Sequence, residues 1–295
     1  MSGPRLLCTL ALSTLACSNP SRPADSKQVD PSPGKTRSAE TKLLKVSGFS
    51  TPESVLWDPQ ADVYLVSNIS GAPTERDDDG FISKLEPDGT IETLRWIDGK
   101  RDDVELSAPK GSCLVGELLL VADIDHVRRF DRNTGAPKGS IAIPDAQFLN
   151  DLACDRSGAW VSDFMTGKIH RIPDALADAS TVELEAKGVN GLAIDDQGWL
   201  WAVADGHLFR VADGVAIDDQ ALPATGLDGV VVLPTGALLV SSWEARAVFQ
   251  GRPGETFEPL FSELNSPADI GYDAERKCLL IPSFEDNVVI IRELP

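Results

Sequence analysis

The sequence predicts an all-β fold, a six-bladed β-propeller with four-stranded blades. Three observations predict it: a strand–turn–strand pattern recurring six times, a spacing of about 40 residues between most repeats, and no sustained helical periodicity. The repeats read PESVLWDPQADVYLVSN (52–68), PKGSCLVGELLLVAD (109–123), NDLACDRSGAWVSD (150–163), NGLAIDDQGWLWAVAD (190–205), DGVVVLPTGALLVSSW (228–243) and ADIGYDAERKCLLIPS (268–283). Each is followed by a third strand: FISKLE, HVRRF, KIHRI, HLFRV, AVFQ and VVIIR in turn. The best helical spacing, Ala175–Leu184, is short and follows Pro173. A doubly wound sheet needs a crossover helix after each strand, so it is excluded. The sixth repeat lacks an outer strand, and the sequence predicts that residues around Leu43–Val46 supply it and close the ring.

The chain has 295 residues, 42% hydrophobic and 25% charged, which suits a soluble globular protein. Its 27 basic and 46 acidic side chains give a net charge of −19. Seven basic and three acidic residues fall within 1–45, leaving 20 and 43 for the rest, a net −23. A body so acidic repels phosphate backbones, and no nucleic-acid partner is expected.

Residues 1–16 read as a signal peptide. Arg5 precedes the apolar run Leu6–Ala16, too short to span a bilayer and of the right length for a signal core. The run ends in Thr14-Leu15-Ala16-Cys17, small residues before a cysteine, like a bacterial lipoprotein signal with Thr14 where leucine is usual. The competing reading is a plain secretory signal cleaved near Ala16. Residues 17–45 read as a flexible tether, with four prolines and five serines within Ser18–Thr41. The propeller then occupies 46–295. These features predict export to a bacterial periplasm or cell envelope, with a lipid anchor at Cys17 as the sole membrane contact, and a monomer. Of the remaining cysteines, Cys113, Cys154 and Cys278 lie within strand-like runs, odd in number and without a CxxC pair. They read as small buried residues, neither a disulfide frame nor a zinc site.

In a propeller, the starts of the inner strands and the residues just after the second strands converge on one mouth of the channel. The first set holds Glu53, Lys110, Asn150-Asp151, Asn190, Asp228 and Asp269; the second holds Asn68, Asp123, Asp163, Asp205, Trp243 and Phe284. Carboxylates and amides dominate, and such hard oxygen donors favour Ca²⁺, Mg²⁺ or Mn²⁺ over a thiolate-bound metal. Taken singly, Asn or Asp before Gly is an ordinary turn former; recurrence at matched blade positions is what points to a cation. His126, His170 and His207 fall on third strands and read as structural. The sequence contains no GxSxG, HExxH or GxGxxG motif.

The motifs Pro52-Glu53…Trp57-Asp58, Phe148-Leu149-Asn150-Asp151, Asn190-Gly191-Leu192 and Asp228-Gly229 resemble the senescence-marker-protein/gluconolactonase family, a group related in architecture to paraoxonases and strictosidine synthases. The resemblance covers about residues 46–295. It implies one divalent cation, most simply Ca²⁺ with Zn²⁺, Mg²⁺ or Mn²⁺ as other candidates, held by Glu53, Asn150, Asn190 and Asp228. It also implies hydrolysis of a small-molecule lactone or ester, with Asp228 moving the proton and Lys110 and Asp151 beside the substrate. Two departures bear on the substrate. Gln147-Phe148-Leu149 lacks the arginine with which the family's sugar lactonases orient a polyol, so sugar lactones are expected to be poor substrates. Lys110 stands where the paraoxonase-like branch has a histidine. The alternative is a non-enzymatic, NHL-like binding propeller at the cell surface with a purely structural cation. The first-repeat insertion, Ser70–Gly80, is expected to overhang the mouth.

Overall fold

The computed structural model describes residues 42–295 apart from 157 and 179, so the signal and lipid-anchor expectations, on residues 1–41, lie outside the described residues. The described chain contains strands and turns and no helix. Six antiparallel sheets of four strands each make the blades. The inner strands are Pro52–Asp58, Pro109–Val115, Leu149–Cys154, Val189–Ile194, Leu227–Val232 and Gly271–Asp273, in blades 1 to 6. The second strands are Val63–Asn68, Leu118–Asp123, Ala159–Asp163, Leu200–Ala204, Leu238–Ser242 and Cys278–Ser283, every one buried along nearly its whole length. The outermost strand is the most exposed strand in each of blades 1 to 5, which matches the polar sequences there. Ala175–Leu184 resolves into a turn followed by one such outer strand, Thr181–Glu185.

Leu43–Ser47 pairs antiparallel with the last strand, Val288–Glu293, in the register Leu43↔Arg292 to Ser47↔Val288. The ring closes as the repeats predict, and it begins at Leu43, three residues before the expected boundary. This pairing gives the sixth blade its fourth strand and removes two sheet edges.

The apolar core lies in the seams between neighbouring blades. One cluster joins Leu120 and Ala122 of blade 2 to Leu152 and Val161 of blade 3; the other five seams are filled in the same way. Period-two alternation along each strand puts apolar side chains on both faces, because each blade packs between two others. Polar ties cross some seams. The buried Asp58 carboxylate accepts the Arg132 guanidinium of blade 2 and the backbone N–H groups of Gln60 and Ala61. Tyr64 Oη donates to Asp273 of blade 6 at 2.7 Å.

One expectation fails here. Cys113 and Cys154 form a disulfide between the inner strands of blades 2 and 3, with Cα atoms 5.7 Å apart, and Cys278 is a free, buried thiol. The physical reason is the repeat itself. The separation of 41 residues is one blade of 40 plus one: Cys113 lies three residues past Lys110 and Cys154 four past Asn150. The extra residue turns the two side chains to opposite faces of their strands, toward each other across the seam.

Candidate functional site at the channel mouth

The pairing of inner and second strands shifts register at one place in each of the first five blades. The shifts fall at Glu53, Lys110-Gly111, Asn150-Asp151, Asn190-Gly191 and Asp228-Gly229. A bulge turns its side chain out of the ladder, here toward the channel. Glycine is required beside the donors for a steric reason: a Cβ on Gly191 would stand 2.2 Å from the Asp228 carbonyl oxygen, and one on Gly111 would stand 2.3 Å from Asp151 Oδ1. At Gly111, Gly191 and Gly229 the neighbouring inner strands approach too closely for any larger residue.

These bulges bring Glu53, Lys110, Asn150, Asn190 and Asp228 to one cavity of about 500 Å³. The four expected ligands are buried at the same depth, between 5% and 7% exposed. Each presents one buried oxygen with no hydrogen-bond partner: Glu53 Oε2, Asn150 Oδ1, Asn190 Oδ1 and Asp228 Oδ1. An unsatisfied buried acceptor costs about 1–3 kcal/mol. Four such atoms on one cavity, contributed by four blades, form a donor set that fits a hard divalent cation. Two are carboxylates and two are amides; among the described residues no group of three His, Cys, Asp or Glu side chains is arranged for metal binding.

Electrostatics agree with that reading. Burial, and then the Asp228 charge, raises the Glu53 carboxyl well above its usual range, against a smaller opposing effect from Lys110. Burial pushes Asp228 up to about 7, with the neighbouring Trp243 indole pulling down and the Asp151 charge pushing up. Without a cation the carboxylates repel one another in a desolvated place.

Lys110 is not the half-solvated charge that a lysine at a strand start suggests. It is 0% exposed. Its Nζ donates to the Ala108 carbonyl at 2.9 Å and stands 4.5 Å from the Phe148 ring centroid. Burial lowers its pKa to about 8, opposed by the charges of Glu53 and Asp123.

Asp151, expected beside the substrate, lies elsewhere. It borders a different cavity, along the inner strands past the mouth, together with Ser54, Cys113 and Asp269. Its two oxygens accept the Leu152 and Leu192 N–H groups, each at 2.6 Å, and its side chain is hydrogen-bonded to Asp269. Adjacent residues on a strand face opposite ways, so Asn150 at the mouth sends Asp151 inward.

The residues after the second strands also divide. The last residue of each second strand turns back onto backbone in five blades. Asn68 Oδ1 accepts Ser50 N–H, Asp123 accepts Ser107 and Ala108 N–H, and Asp163 accepts Gln147 and Phe148 N–H. Ser242 and Ser283 donate to the Thr225 and Asn265 carbonyls. The next residue is the one that faces the mouth: Ile69, Phe164, Trp243 and Phe284 all line the cavity. Sequence reading mixed these two registers. It also missed Met165, which lines the cavity after Phe164. The overhanging insertion is present: Gly71 and Pro73 border the cavity, and Arg76 Nη1 binds Asp125 at 2.8 Å across to blade 2. None of His126, His170 and His207 lines the cavity.

Fold and site together define a six-bladed propeller with an oxygen-lined mouth. Solved structures of the same fold include a gluconolactonase from Xanthomonas campestris, at 17% identity and TM-score 0.66, covering 87% of this chain and 91% of that one. They also include a luciferin-regenerating enzyme, at 12% identity and TM-score 0.63, covering 86% and 95%. A virginiamycin B lyase from Staphylococcus aureus matches at 14% identity and TM-score 0.62, covering 87% and 100%. At such identities the likeness is one of fold. No protein-family description and no curated protein matches the sequence.

Proposed function

We propose that this protein is a metal-dependent hydrolase of lactones or related esters. The observation that carries the reading is the set of four buried, unpartnered oxygens from Glu53, Asn150, Asn190 and Asp228, facing one cavity large enough for a substrate. The gluconolactonase of the same fold supports it.

Those four side chains would hold the cation, Ca²⁺ by their chemistry. When bound, such an ion supplies Lewis acidity, polarising a carbonyl and making water easier to ionise. The chain's own groups do the rest. Asp228 is the proton acceptor, a buried carboxylate with one unpartnered oxygen and the Trp243 indole beside it. Lys110 keeps donor capacity beyond its single bond to Ala108 and offers it to an oxyanion or an acyl oxygen. The apolar cavity wall excludes bulk water and strengthens both effects.

An exported protein is part of the proposal. The Cys113–Cys154 disulfide supports it, since such bonds persist in oxidising compartments.

The test is a pH-stat assay of a lactone panel on protein stripped of metal and then reloaded with Ca²⁺. Hydrolysis that appears only with the ion is expected. Metal bound with every lactone untouched would leave a binding propeller with a structural cation.

A further inference from the structure

The mouth wall carries a second message, about what the site accepts, and this inference rests on the hydrolase reading. The polar side chains of the cavity are confined to its buried end, on the inner-strand bulges. Above them, the positions one residue past each second strand are Ile69, Ile124, Phe164, Asp205, Trp243 and Phe284, and the four that line the cavity, Ile69, Phe164, Trp243 and Phe284, are all apolar or aromatic. Repeat geometry forces this register, because the preceding residue is occupied with holding backbone.

The aromatics are paired. Phe148 and Phe164 of blade 3 have ring centroids 5.9 Å apart, and Trp243 and Phe284 of blades 5 and 6 have theirs 5.1 Å apart. In a closed ring of six, blade 3 stands opposite blade 6, so the two pairs bracket the mouth from facing sides. Phe164 and Met165 are 43% and 55% exposed at the rim. Large apolar side chains left exposed at the edge of a cavity are groups awaiting a partner.

A polyhydroxylated sugar would set its hydroxyls against these rings, and each buried hydroxyl left without a partner weakens binding. We infer that the site takes lactones or esters with an apolar body of aromatic-ring size, held between the Phe148–Phe164 and Trp243–Phe284 pairs, with the one polar, reacting end turned down to Lys110 and the four oxygen donors. Phe164 and Met165 are then specificity determinants at the rim.

The full chain loaded with Ca²⁺ should hydrolyse dihydrocoumarin or γ-nonalactone with kcat/KM at least about 100-fold above that for glucono-1,5-lactone. Phe164→Ser and Met165→Ser change partly exposed side chains that lie between strands, and each should lower that preference ratio about tenfold or more. Binding is read separately, from the rise in melting temperature given by 3,4-dihydroquinolin-2-one, the lactam counterpart of dihydrocoumarin. Gluconolactone hydrolysed as well as the apolar lactones would overturn the substrate class and leave the hydrolase standing. No hydrolysis, with a lactam-induced shift that Phe164→Ser abolishes, would sink the hydrolase and support the apolar site. Neither hydrolysis nor a shift would overturn the inference.

Discussion

Cys113 and Cys154 stand one register position apart on consecutive inner strands, which turns them toward each other, and their bond staples blade 2 to blade 3 where Leu120, Leu152 and Val161 already pack. The double variant Cys113→Ser/Cys154→Ser removes the cross-link from the unfolded chain as well as from the fold. A loop of this size contributes about 2–4 kcal/mol, so the melting temperature should fall by roughly 5–15 °C. Calorimetry measures the fall. Peptide mapping without reductant should recover the two cysteines on one linked fragment, and a separate elution would contradict the bond.

Glu53 and Asp228 are expected to fail in different ways when each loses its charge. Glu53→Gln leaves an amide and weakens metal retention first, seen as a lower metal content after dialysis. Asp228→Asn keeps an oxygen donor and removes the proton acceptor. Turnover should drop by about 10²–10⁴-fold, with most of the metal retained. Equal loss of metal in both variants would assign Asp228 to binding alone.

Lys110→Met tests the buried ammonium. Methionine fills nearly the same volume beside Phe148, so the fold should persist. Loss of the donor should cut turnover by about 100-fold, with metal content unchanged. Unchanged turnover would make Lys110 a structural counter-charge to Glu53 and Asp123.

The metal-free protein should be less stable at pH 8 than at pH 5.5. Burial holds Asp228 and Asp151 at about 7 in the fold, against ordinary values near 3.8 in the unfolded chain. A carboxyl raised by folding contributes stability that is complete below the unfolded value and is lost as pH rises through about 7. Chelated samples melted at the two pH values give the sign, and added Ca²⁺ should raise the melting temperature more at pH 8. A chelated protein more stable at pH 8 would contradict the carboxylate cluster.

Much of this was legible in the sequence. Alternating strands at blade spacing carried the six-bladed ring and its closure through Leu43–Ser47. Glu53, Asn150, Asn190 and Asp228 stood out because each recurs at the start of an inner strand. Depth and register within a turn were harder to read. Nothing local distinguishes Asp163, which grips the Phe148 N–H, from Phe164, which faces the cavity; only the strand pairing counts them apart. The burial of Lys110 depends on the converging inner strands of other blades. The disulfide left one trace, a separation one residue longer than the repeat.

The pairing of Leu43–Ser47 with Val288–Glu293 makes the ring a clasp with a single fastening. Blades 1 to 5 are local hairpins that can assemble in the order in which they emerge. The sixth waits for its final strand, and until then the first strand has no partner. Closure is therefore a late event in folding, possible only once Val288–Glu293 has formed. Trimming either end by one strand would leave an open arc, with a core seam facing water on each side of the gap.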